Sequence, residues 1–328
     1  MKKAMPVNQQ QLGPNLTFYD LHPPATDMLE EVTRSLSAPR PHLHPKYFYN
    51  ETGSRLFDAI TATPEYYPTR TESALLTRYS DEIQDQLGGA STIAEPGAGS
   101  CQKVRLLLER WSPECYMPLE ISRDCLLQAT RELSRDFPGV QISAVCADYC
   151  QALSLPADKD PNGRVVFFPG STIGNFEPAE RQQFLRGLHQ LAGPGGSLLI
   201  GADLHKDCAT LHAAYNDAEG LTAAFNLNAL HHINHELDCH FQVEQMRHLA
   251  FYNEQARRIE MHLECLCDQQ LQLGENRLTL PAGTRIHTEN SYKFTVEGFT
   301  RELINAGFTP RSCWTDPDNL FSLHLASY

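Results

Sequence analysis

The stretch Ser91-Thr-Ile-Ala-Glu-Pro-Gly-Ala-Gly99 decides how this chain is read. A short β-rich run ends in an acid, two glycines follow, and a strong helical pattern covers 102–109. Glycines at a strand-to-helix turn let a ligand approach the backbone at a helix N-terminus. Two ligand classes compete for such a loop. A dinucleotide site needs G-x-G-x-x-G, and the position of its third glycine holds Gln102. An adenosylmethionine site needs an acid ahead of G-x-G and a second acid at the end of the next strand, for the ribose hydroxyls. Glu95 and Glu120 supply both, one βα unit apart. Asp148-Tyr149, closing a third strand, would then meet the adenine. The competing view is an ordinary βα turn with a solvated Glu120.

Outward from this loop, strand-like runs at 91–95, 116–121, 140–146, 165–168 and 197–201 alternate with helical patterns at 102–109, 124–137 and 177–191. The run 165–168 is wholly apolar, as in a strand buried on both faces. This alternation predicts an α/β fold, a doubly wound parallel sheet. The texture breaks after Leu204. Residues 209–214 and 221–234 read as helices, and 242–280 turns strand-like, with Ile259, Met261 and Leu263 alternating. A helix is expected at 294–306 and two strands in 308–328, the latter as an antiparallel hairpin added to the sheet. Ahead of the core, helices are expected at 27–36, 54–61 and 69–87. Residues 1–26 are polar and Pro-rich, and 1–14 are expected to lack order.

Composition narrows the function classes. The 328 residues carry 27 Lys plus Arg against 40 Asp plus Glu, a net charge of −13, which disfavours duplex nucleic acid as a partner. No apolar run approaches the roughly 20 residues that span a bilayer. The start lacks the apolar segment of a secretory signal. Ten cysteines are scattered without a CxxC or a zinc pattern, so reduced thiols in a cytoplasmic protein are expected. A small-molecule ligand fits these bounds.

Other segments could carry chemistry. Phe168-Pro-Gly-Ser-Thr-Ile-Gly-Asn-Phe176 follows the fourth strand, where ligands of open α/β sheets sit. Gly170 and Gly174 allow a tight turn, and Asn175 either receives a substrate amine or caps the next helix. Tyr47, Tyr49, Tyr66, Tyr67 and Tyr215 offer phenols to a carboxylate or simply pack a core. On a strand, Glu289 and Ser291 would share a face and could grip both nitrogens of an imidazole, or form a polar face in water. His231 and His235 stand at i, i+4, but no H-E-x-x-H is present, and a polar helix face is the simpler reading.

Taken together, several long motifs resemble one family. They are Tyr47-Phe-Tyr-Asn-Glu-Thr-Gly-Ser-Arg-Leu-Phe57, Pro64-Glu-Tyr-Tyr-Pro-Thr-Arg-Thr-Glu72 and Pro169-Gly-Ser-Thr-Ile-Gly-Asn-Phe-Glu-Pro178. Ala213-Ala-Tyr-Asn-Asp-Ala-Glu-Gly-Leu-Thr-Ala-Ala-Phe-Asn226, Arg258-Ile-Glu-Met261 and Trp314-Thr-Asp-Pro317 complete the set, in family order. The chain thus resembles the L-histidine Nα-methyltransferases of ergothioneine biosynthesis, which form hercynine. That resemblance implies a Rossmann-like class I methyltransferase core with a second, α+β substrate domain. The core would be 71–205 and 295–328, and the substrate domain 15–70 and 206–294. It implies S-adenosyl-L-methionine as cofactor, S-adenosyl-L-homocysteine as product, no metal, and a monomer.

Residue by residue, the resemblance places Tyr66 and Tyr215 on the substrate carboxylate and Asn175 on the α-amine. Glu289 and Ser291 would read the imidazole, with Met261 lining the same pocket. Tyr49, Gly97, Lys103, Glu120, Asp148 and Tyr149 match cofactor-side positions. Glu95, Gly99, Gly170 and Ser171, from the two glycine-containing loops, join that list. Asn175 and Tyr49 are expected to orient the amine for attack. Pro96 and Ala98 replace the Leu and Ser usual in the family's loop, and Glu120 stands where Asp is usual, but the spacing survives. A methyltransferase for another amino acid or an imidazole-bearing metabolite, a nicotinamide oxidoreductase and a catalytically silent binding protein are the alternatives.

Overall fold

The structure, a computed structural model, describes residues 8–21, 28–89, 92–149 and 164–328. In chain order its first strands and helices are β1 (Asn8–Gly13), β2 (Leu16–Asp20), α1 (Met28–Leu36), α2 (Glu51–Thr61) and α3 (Tyr67–Leu87). The alternating section follows: β3 (Thr92–Pro96), α4 (Gln102–Trp111), β4 (Cys115–Glu120), α5 (Arg123–Asp136), β5 (Gln141–Cys146), β6 (Val165–Phe168), α6 (Pro178–Ala192) and β7 (Ser197–Asp203). Then come α7 (Cys208–Ala214), α8 (Leu221–Leu237) and strands β8 (Met246–Asn253), β9 (Arg258–Cys265), β10 (Gln269–Leu273), β11 (Asn276–Leu280) and β12 (Arg285–Tyr292). The chain closes with α9 (Val296–Asn305), β13 (Thr309–Thr315) and β14 (Phe321–Ser327).

These elements form two compact units. The core unit is Met1–Pro23, Pro68–His205 and Phe294–Tyr328, and the second unit is Pro24–Tyr67 and Lys206–Lys293. The core sheet runs β1-β2-β5-β4-β3-β6-β7-β14-β13. From β2 to β7 neighbouring strands are parallel, while β14 and β13 join antiparallel as a terminal hairpin. Every residue of β3 and β6 is buried, as expected for central strands covered by helices on both faces. Helix α4 turns Val104, Leu107, Leu108 and Trp111 inward, a stripe at i, i+3, i+4 and i+7. The chain winds from β3 through β4 to β5, then returns to place β6 on the other side of β3. That reversal is the switch point where doubly wound sheets bind ligands.

The amino terminus differs from its expectation. Residues 8–13, expected to lack order, form edge strand β1 in an antiparallel hairpin with β2. Residues 15–21, assigned from sequence to the substrate domain, lie in the core unit, because β2 extends the parallel sheet beside β5. The physical reason is Leu16 and Phe18: they alternate on one face and are buried against the sheet. Asn15 ties the turn down by donating to the carbonyls of Phe137 and Val140. Residues 1–7 of that expectation lie outside the described residues.

In the second unit, β12, β9 and β8 form an antiparallel sheet in that order. A bulge between His287 and Glu289 inserts Thr288 and shifts the register. Since side chains alternate with period two, one extra residue brings Glu289 onto the face that it shares with Met261 and, across β8, Ala250. Helix α8 starts after Gly220, at φ 72, where the Asp217 carboxylate accepts from the Leu221 and Thr222 N–H groups at 2.8 Å each. That cap satisfies two donors that would otherwise lack a helical partner. Among the described residues, no helix is long and apolar enough to cross a membrane.

Candidate functional site

In the core unit the expected cofactor residues gather at the carboxyl ends of β3, β4, β5 and β6. Gly97 and Gly99 have φ of 69° and 51°, in the left-handed region that glycine tolerates. A side chain on Gly99 would meet nothing within 4 Å, so the backbone there is open to an incoming group. A Cβ on Gly97 would lie 3.2 Å from the Tyr149 ring, which places Tyr149 against the loop. Tyr149 also meets Phe168 and Phe184 edge-on. Asp148, beside it, is half-buried.

The two acids have different surroundings. Glu120 Oε2 accepts from the Gly99 N–H at 2.9 Å, and Oε1 from Ile121 and Ser122 at 2.8 and 3.0 Å. It therefore ties the end of β4 to the glycine loop. Burial pushes its pKa up, and those backbone donors pull it back. Glu95 differs from a ligand-facing acid: it is 2% exposed, and its partner is the Tyr116 hydroxyl at 2.5 Å. Burial raises it to about 8, with the Tyr116 bond opposing. Glu95 thus sits in the sheet beneath the loop.

The loop after β6 turns at Gly170 and Ser171, with φ of 83° and 56°. The Ser171 hydroxyl accepts from the Asp203 N–H at 2.8 Å, joining this turn to the end of β7. Thr172–Asn175 is one turn of 3-10 helix, and Asn175 is half-buried. One residue that the sequence reading left without a role organises this region. Glu72, on α3, is fully buried, accepts from Lys103 Nζ at 2.6 Å, and accepts the Gly170 N–H on both oxygens at 2.9 Å. The available signal was an acid on an apolar helical stripe with Leu75, Leu76 and Ile83.

In the second unit Tyr49, expected on the cofactor side, is joined through ring contacts to the expected substrate residues Tyr66 and Tyr215, while Asn175 lies in the core unit. Ring contacts run from Tyr49 to Phe57 (6.1 Å), Phe57 to Tyr66 (6.3 Å) and Tyr66 to Tyr215 (6.4 Å). Phe225 of α8 packs on Tyr49 and Phe57 from behind. The Tyr215 hydroxyl then donates to Ser291 Oγ at 2.7 Å. Lys293, only 4% exposed, donates to Ser291 Oγ at 2.8 Å and to the Tyr215 hydroxyl at 3.2 Å. Burial raises Glu289 to about 7, while the Lys293 charge opposes that shift. Met261, 2% exposed, is the cross-strand partner of Glu289. Lys293 was also passed over in the sequence, although the period-two rule that aligned Glu289 with Ser291 extends to it.

His231 and His235 fall on α8 with no ligand set around them: among the described residues, no group of three His, Cys, Asp or Glu is placed to hold a metal ion. The assembled chemistry is a glycine loop with an acid at the next strand end, and a separate buried carboxylate beside a hydroxyl.

Comparison with known proteins adds the following. Residues 28–328 match the family model described as histidine-specific methyltransferase, SAM-dependent. A histidine N-alpha-methyltransferase of Mycolicibacterium smegmatis is 40% identical over 92% of this chain and 95% of its own length. One of Mycobacterium tuberculosis is 41% identical, over 87% of this chain and 90% of its own. Among solved structures, an S-adenosylmethionine-dependent methyltransferase from Clostridium acetobutylicum superposes with a TM-score of 0.50 at 8% identity, covering 83% of this chain and 98% of that one. The last of these speaks to the fold alone.

Proposed function

The chain belongs to the SAM-dependent, histidine-specific methyltransferases, and from that premise we propose how its residues perform the reaction. It is an enzyme that methylates the α-amine of histidine with S-adenosylmethionine, and its core has the Rossmann-like class I fold of such enzymes. We further propose three successive methylations, giving the betaine.

The core loop suits the cofactor. Gly97 and Gly99 bring bare backbone to the switch point, and the space beside Gly99 is open. A carboxylate has about four lone-pair sites, and three backbone donors occupy three of those on Glu120. One remains on Oε2, where a ribose hydroxyl would donate. Tyr149 offers its ring to the adenine, with Asp148 as a polar neighbour. Lys103, Gly170 and Ser171 complete the set around the methionyl end. The chemistry supplied by bound adenosylmethionine is a methyl group activated on a sulfonium.

The observation that carries the substrate reading is Glu289. Glu289 and Ser291 alternate onto one face of their strand, both buried, with Met261 across from Glu289, so a carboxylate and a hydroxyl stand side by side. An imidazole would give its N–H to the carboxylate, and Ser291 would serve the other ring nitrogen. Tyr66 and Tyr215 are assigned to the carboxylate of histidine, the Tyr215 hydroxyl turning its proton from Ser291 to the ligand, with Asn175 assigned to the amine and Tyr49 to orienting the lone pair. An α-amino group has a reference pKa of about 7.7–8.0, so its neutral form is accessible and positioning replaces a strong general base.

The test is product mass spectrometry with histidine and a panel of other amino acids. Mono-, di- and trimethylhistidine are expected in sequence. Transfer to another amino acid with histidine left untouched would overturn the substrate assignment.

A further inference from the structure

The buried carboxylate of Glu72 joins four parts of the core unit. It projects from α3, holds Lys103 at the start of α4, and accepts the first N–H of the loop after β6. On β7, Gly201 leaves room for it: a Cβ there would lie 2.1 Å from Glu72 Oε1. Similarly, a Cβ on Gly170 would lie 3.2 Å from Lys103 Nζ. A buried ion pair gives little net stability compared with an apolar pair of the same shape. Its use here is geometric. An ammonium has three N–H donors and no acceptor, and Glu72 engages one of them. The Lys103 side chain remains 21% exposed, so the other donors can reach a ligand at the loops.

We propose that Glu72 is a positioning residue of the cofactor site, which holds Lys103 and the Gly170 N–H so that the Lys103 ammonium receives the carboxylate of the methionyl group. Adenosylmethionine carries a cationic sulfonium, a cationic ammonium and one anionic carboxylate. Only the last is complementary to Lys103. This inference rests on the reading of the two core loops as the cofactor site, and it adds a residue which acts through Lys103 and never touches the ligand.

Two probes separate positioning from general support of the loop. S-adenosylhomocysteine has the amino-acid tail; 5′-methylthioadenosine has the same nucleoside and lacks it. Calorimetric titration of each is compared for the wild type, Glu72→Gln, Lys103→Met and the double variant. Glu72→Gln should weaken S-adenosylhomocysteine by on the order of ten- to a hundred-fold, the range for a hydrogen bond to a charged group. Methylthioadenosine binding should stay at the wild-type value. The double variant should be no worse than the weaker single one, because the two side chains act as a unit. Should Glu72→Gln fail to fold, Lys103→Met, at a partly exposed site, must show the same split between ligands. Equal losses for both ligands, or no loss for either, would overturn the proposal. If the wild type binds neither probe, the cofactor reading itself falls and the proposal with it.

Discussion

The buried carboxylates of the core loops and Glu289 of the second unit are held in different ways. In the core, Glu120 accepts three backbone N–H groups, Glu72 a lysine and a backbone N–H, and Glu95 a tyrosine hydroxyl. In the second unit, Glu289 stands in a cross-strand row with Met261 and Ala250 and is drawn toward ionisation by the charge of Lys293. The core acids shape loops for a group common to many enzymes. Glu289, by contrast, is proposed to read the substrate. Cofactor binding and substrate choice should therefore be separable by mutation.

The largest expected effect tests that separation directly. Glu289→Ala removes the acceptor proposed for the imidazole and should weaken histidine by about 1.5–3 kcal/mol, or roughly ten- to a hundred-fold. S-adenosylhomocysteine should bind as in the wild type. Paired titrations of the two ligands decide the matter. Parallel losses would erase the contrast between the units and point to general damage.

A second substitution strikes the core without altering any polar side chain. Gly201→Ala would place its Cβ 2.1 Å from Glu72 Oε1 and 2.8 Å from a Phe321 ring carbon. Overpacking of this kind costs about 1–3 kcal/mol. Scanning calorimetry should find a melting temperature lowered by about 2–4 °C for each kcal/mol. Displacement of Glu72 should also weaken S-adenosylhomocysteine. An unchanged melting temperature together with unchanged cofactor affinity would show that the junction around Glu72 is loose.

The same contrast explains what could be read in the sequence. The strand at 165–168 was legible because burial on both faces leaves an unbroken apolar run, and the glycine loop because it needs φ values that few other residues adopt. The edge strand at 8–13 was not: Gln9, Gln10 and Gln11 are exposed and carry no alternation. Glu289 and Ser291 follow from period two along a strand. The bulge at Thr288, which decides the face that Glu289 joins, has no glycine or proline to mark it. Glu72 had a local signal, an acid among Leu75, Leu76 and Ile83, but its partners Lys103 and Gly170 are 31 and 98 residues away. Such contacts are set by the sheet order, not by neighbours in the chain.

A pH-dependent effect concerns Glu95, the first acid of the loop motif. Burial pushes it to about 8 from an ordinary 4.5, against the opposing Tyr116 bond. A carboxyl that is harder to ionise in the folded chain than in the unfolded one leaves stability intact below about pH 4.5. The stability is then lost progressively as the pH rises toward 8, where the folded state must also ionise. Glutamine has the same shape, still accepts from Tyr116 and never ionises. Hence the melting temperature of Glu95→Gln relative to wild type should climb between pH 4.5 and 8 and level off above. The relative gain should reach its full size at the alkaline end. A difference that does not vary with pH would mean that Glu95 has water or a cation to ionise against, and that it faces the ligand after all. In that case the core would hold an acid as exposed to its ligand as Glu289 is proposed to be, and the contrast between the two units would narrow to Glu120 and Glu72.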